Sequence, residues 1–181
     1  MIILENLGQY RKGRLWIDKL PNLPFKASEK VQTNVKVNTG LDLKPIALAV
    51  EVLLSPRHVS NYAFLGVKFT PNQGNELNVY VHVTGDEGVV MHDNIAFKSD
   101  EVHVGLPYEY ADAILKNARN IIEVLPQFSG GILEFCIAAH GLIGSSQASF
   151  AKAAEIIINL LITDLNQSDE NKLKQIVANS L

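Results

Sequence analysis

A chain of 181 residues has the size of one ordinary domain, and 47% hydrophobic with 19% charged residues excludes a disordered or fibrous protein. The single cysteine, Cys136, excludes an internal disulfide and a cysteine-rich zinc site. The formal charge of −3 hides an asymmetry: residues 1–36 carry seven Lys and Arg against three acids, so the remainder sums to −7 and gives no electrostatic support for tracking phosphates.

No apolar run approaches the roughly 20 residues that a bilayer-spanning helix requires, so no membrane partner is expected. Glu5 stands where a secretory signal would continue its apolar core, which predicts a cytoplasmic protein. Residues 1–45 lack a sustained period and are punctuated by Gly8, Gly13, Pro21, Pro24, Gly40 and Pro45, so they read as an amino-terminal segment of irregular chain with a short strand or two. Residues 46–181 read as the folded domain proper. Within it, 46–54 and 62–69 are two β-rich apolar runs separated by Ser55-Pro56-Arg57-His58, and Pro71-Asn72-Gln73-Gly74-Asn75 is a turn. Leu77, Val79, Val81 and Val83 then alternate with Asn78, Tyr80, His82 and Thr84, which is a half-buried strand. Gly85-Asp86-Glu87-Gly88 reads as a hairpin turn folding residues 89–97 back onto that strand.

Pro107 suits the first position of a helix whose inner face is Tyr110, Ile114, Ala118, Ile121, Ile122 and Leu125, and Pro126 stops it. Gly130-Gly131 opens residues 132–139, apolar on both faces apart from Glu134, as a central strand. Ser145 or Ser146 caps a second helix lined by Phe150, Ala153, Ala154, Ile157, Leu160 and Leu161, and a short last helix starts after Ser168. The order predicts an α+β fold: a mixed, mostly antiparallel sheet with two main helices on one face.

Three pieces in this order resemble the fourth domain of translation elongation factor G over about residues 46–162. They are Leu106-Pro107-Tyr108-Glu109-Tyr110-Ala111 entering the first helix, Gly130-Gly131-Ile132 opening the next strand, and Ser145-Ser146 followed by Phe150 and an alanine-rich helix. The resemblance implies a left-handed strand–helix–strand crossover, and the ribosome or structured RNA as partner. It places binding at the tip loop of His140, Gly141, Gly144, Ser145 and Ser146, although His140 lies five residues ahead of the serines where the family has four, and Gly144 stands in place of an acid. The same fold occurs in sugar and mevalonate kinases, whose phosphate loop Gly141-Leu142-Ile143-Gly144-Ser145-Ser146 resembles.

Two function classes follow. One is a stand-alone, non-enzymatic binding module without a cofactor, because no Gly-x-x-x-x-Gly-Lys-Ser/Thr loop is present to hydrolyse GTP. The other is a small anion- or phosphometabolite-binding enzyme using the amides of residues 141–146 ahead of a capped helix. Arg11, Lys12 and Arg14 beside Tyr10 and Trp16 form a nucleic-acid candidate by charge plus stacking. In the expected hairpin His82 and His92 fall on opposite faces, so they do not chelate and no metal site is expected. An exposed helical face would instead serve a homodimer.

Overall fold

Alternation of Leu77, Val79, Val81 and Val83 with Asn78, Tyr80 and His82 produces a strand whose apolar row is wholly buried and whose polar row is half exposed. That strand is β6 (Glu76–Val83) of a computed structural model that describes residues 1–5, 7–8, 11–54, 61–165 and 168–180. The other strands are β1 (Ile2–Leu4), β2 (Lys12–Ile17), β3 (Glu29–Lys36), β4 (Ile46–Leu53), β5 (Tyr62–Asn72), β7 (Val102–Val104) and β8 (Gly130–Gly141). The helices are α1 (Tyr108–Val124), α2 (Gln147–Leu161) and α3 (Glu170–Asn179). Tyr10 and the connection at 55–58, including His58, lie outside the described residues.

The eight strands form one sheet in the order β1-β2-β4-β5-β8-β6-β3, with β7 added to the end of β8. All neighbours are antiparallel except β6 and β8, a parallel pair joined through α1. The fold is thus α+β, with α1 and α2 covering one face over a core that includes Leu15, Val50, Leu65, Val79, Phe135, Ile114 and Phe150. α1 stops at Pro126, and α2 begins at a capping box in which Ser146 and Ser149 exchange side-chain and backbone hydrogen bonds. Phe150 stacks on Tyr110 at 4.9 Å between ring centroids, which locks the start of α2 to the start of α1.

The amino-terminal residues supply three strands, and they sit at both edges of the sheet. β2 pairs with β4 from Lys12↔Leu53 to Ile17↔Leu48, whereas β3 pairs with β6 at the opposite edge from Glu29↔Val83 to Lys36↔Glu76. The intervening chain crosses the face away from the helices, where Leu20, Leu23 and Phe25 pack on a second apolar cluster containing Ala49, Tyr62, Phe64 and Met91.

The hairpin expected at residues 85–88 does not form. Both edges of β6 are already occupied, by β3 and β8, so residues 89–97 have no ladder to join there. Residues 89–91 pair with β7 instead: the N–H of Met91 donates to Val102 O at 2.7 Å and that of Val104 to Val89 O at 2.8 Å. Consequently His82 faces Lys30 of β3, not Met91.

Candidate functional site

The end of β8 and the turn from it into α2 hold five of the residues singled out from sequence, and their polar groups are directed inward. Gly141 N–H donates to Ser145 Oγ (2.8 Å), and Ser145 Oγ donates to the Tyr62 carbonyl at 2.6 Å. Leu142 N–H donates to Glu101 O, Ile143 N–H to Asp100 Oδ1 (3.0 Å), and Ser146 N–H to Ser149 Oγ (3.0 Å). The Gly144 carbonyl accepts from Tyr62 N–H. A side chain on Gly141 would lie 2.2 Å from Asp100 Oδ2, so the loop closes around an internal carboxylate. The amides that would cradle an external anion are therefore committed within the fold. The exposed groups of this turn are apolar: Leu142 and, at 73% exposure, Ile143.

His140 is only 4% exposed and sits on the helix side of the sheet, directly opposite His103 of β7 with 6.4 Å between ring centroids. Its Nδ1 lies 3.1 Å from Gly105 O and therefore carries the proton that this carbonyl accepts. Burial pushes the His140 pKa below the ordinary imidazole value, and the neighbouring His103 adds to the fall. His103 moves the other way. Its Nε2 is 2.8 Å from Glu101 Oε1 and its Nδ1 3.2 Å from Gly88 O, so acceptors flank both ring nitrogens and the Glu101 hydrogen bond raises its pKa.

The basic cluster divides. Lys12 is exposed and Arg11 half-buried, whereas Arg14 is drawn into an acidic clasp, its Nη1 2.8 Å from Asp93 Oδ1 and 3.4 Å from Glu51 Oε2. Trp16, on the same face of β2, packs edge-on against Phe64. Glu51 is fully buried; Tyr62 O–H donates to its Oε1 at 2.8 Å and Ile95 N–H at 3.0 Å. Burial pushes the Glu51 carboxyl and the Tyr62 phenol above their usual values. Sequence reasoning passed over Glu51, although an acid inside the apolar run 46–54 is itself the signal of a buried polar cluster.

A third polar region emerges only from the sheet order. Beyond β5 the face away from the helices is uncovered, and it displays Lys30, Gln32, Asn34 and Lys36 of β3, Tyr80 and His82 of β6, Glu134 of β8 and Lys68 of β5. Lys30 Nζ stands 4.1 Å from the centre of the Tyr80 ring and 4.0 Å from Glu134 Oε1, and His82 Nε2 lies 2.8 Å from the same oxygen. Cys136, half-buried on this strand, has its thiol pKa raised by burial. Among the described residues no group of three or more His, Cys, Asp or Glu is placed to hold a metal ion. Among the described residues no helix is long and apolar enough to cross a membrane. Compared with known proteins, the chain matches no family model, no curated protein and no solved structure.

Proposed function

We propose that the chain is a non-enzymatic binding module, similar to the fourth domain of elongation factor G, that engages structured RNA or the ribosome through the open half of its sheet. The reading rests on one observation: half of the sheet's second face is left uncovered and polar, with Lys30 over the Tyr80 ring, Lys36 and Lys68 on the same face, and Glu76 and Glu134 opposite them in the neighbouring strands. Lysines on a flat strand array reach phosphates, and the Tyr80 ring offers a stacking surface for an unpaired base once the overlying Lys30 swings to a phosphate. The surplus is small, so affinity is modest and set by few phosphate contacts. The phosphometabolite alternative has less support, because the N–H groups of Gly141, Ile143 and Ser146 already have acceptors in Ser145, Asp100 and Ser149.

Fluorescence anisotropy with a labelled ribosomal RNA hairpin tests this reading. Three lysine–phosphate contacts predict a slope of log K against log salt of about −2. Changing Lys30, Lys36 and Lys68 to Gln weakens binding at least about tenfold and flattens the salt dependence, while leaving the melting temperature within a few degrees, since all three side chains are solvent-facing and no like charge is set against Glu76 or Glu134. Salt-independent binding, or full binding by the substituted variant, overturns it.

A further inference from the structure

At the opposite end of the same face, where β1 and β2 form the edge, a cleft of about 390 Å³ opens between β2, residues 21–24 and residues 89–93. Its walls are mostly apolar, with Trp16, Leu23, Met91 and Val104 among them, and Arg14 and Asp93 are charged side chains in its lining, beside His92. That combination of an apolar enclosure with one fixed polar anchor is what a small-molecule site requires.

Arg14 is the fixed charge. From behind, the fully buried Glu51 holds it, with Oε2 3.4 Å from Nη1 and without a hydrogen-bond partner among the described residues, while Tyr62 and Ile95 immobilise Oε1. On the solvent side its partner is Asp93, whose side chain is 88% exposed, and a pair so open to water contributes little. Both acids lie on Nη1, and a guanidinium has five N–H donors, so a second, better-shielded carboxylate has donors to take. A cationic ligand would have to dislodge Arg14 from a buried carboxylate, whereas an anionic one has only to replace an exposed aspartate.

We propose that this cleft binds an amphipathic organic carboxylate, which exchanges with Asp93 on the Arg14 guanidinium and lays an aliphatic chain or ring along Trp16, Leu23 and Met91. Bidentate Arg–carboxylate pairing gives the orientation, and the apolar walls give most of the affinity.

Trp16 is the only tryptophan, so its fluorescence reports on the cleft directly. The full chain is titrated with octanoate, and with octanol and octylamine as neutral and cationic partners of equal chain length. Octanoate produces a saturable change, octanol binds at least about tenfold more weakly, and octylamine gives no saturable change. Asp93→Asn tightens octanoate severalfold by removing the competitor, and Arg14→Gln abolishes binding. Should Arg14→Gln fail to fold for want of a partner to Glu51, Asp93→Asn and the octanol comparison still decide. Octanol or octylamine binding as tightly as octanoate, or an unchanged octanoate affinity in Asp93→Asn, overturns the proposal.

Discussion

His103 and His140 face each other across β7 and β8, yet their surroundings drive their protonation apart. His103 gains a carboxylate partner, so its folded pKa lies above the unfolded value of about 6.5. Its contribution to stability is complete below that value and is lost as pH rises through the folded pKa. His140 is buried and no carboxylate is bonded to it among the described residues, so burial holds its folded pKa below the unfolded value despite the hydrogen bond to Gly105 O. Unfolding then takes up a proton as pH falls beneath about 6.5, and stability declines on that side. The two imidazoles therefore act with opposite sign, and a melting curve alone would hide both. Resolved by NMR titration of the ring protons, one histidine should titrate above the free imidazole value and the other below it. Glu101→Gln should bring the His103 pKa down while leaving the fold intact, because the Glu101 side chain is 61% exposed. A His103 titration unmoved by that substitution would mean that Glu101 does not set it.

The elements read most directly were those whose pattern and boundaries agree. α1 follows Pro107 and stops before Pro126, α2 starts at the Ser146 cap, and β6 shows its alternation without interruption. The misreading at residues 85–88 has a plain cause. Gly-Asp-Glu-Gly has the composition of a hairpin loop, but pairing is decided by which strand edges are free, and β3, fifty residues earlier in the chain, already occupies the edge in question. Nothing local in the sequence announces that. The paired glycines are a different case, for their spacing was readable and their reason was not. Gly131 has φ of +134°, and a Cβ there would meet Thr70 O at 2.2 Å and Pro71 Cα at 2.8 Å, so β8 enters the sheet pressed against the end of β5. Gly131→Ala should accordingly destabilise the protein by about 2 kcal/mol or more, the range of a strained backbone position combined with a main-chain clash. Urea denaturation measures it, and a change below about 0.5 kcal/mol would show that β5 yields easily at this crossing.

The sequence singles out His140, Gly141, Gly144, Ser145 and Ser146 as a set but not the orientation of their polar groups, because only the assembled sheet brings Tyr62, Asp100 and the β8–α2 turn together. The same assembly explains the amino-terminal segment. Its strands lie at opposite edges, β2 on β4 and β3 on β6, while the chain between them crosses the outer face as a strap. Leu4, Leu7, Leu15, Val35 and Val37 enter the helix-side core along with the later strands. Burying five such side chains contributes about 8–15 kcal/mol, which is as large as the whole net stability of a typical domain. Removing residues 1–45 would strip that contribution and leave the backbones of β4 and β6 as open edges, a configuration prone to pairing between molecules. Residues 46–181 expressed alone should therefore give a collapsed amide spectrum and aggregate, whereas the full chain gives dispersed resonances and one cooperative unfolding transition. A dispersed, monomeric spectrum from the shortened chain would mean that the two clamping strands ride on a sheet already stable without them.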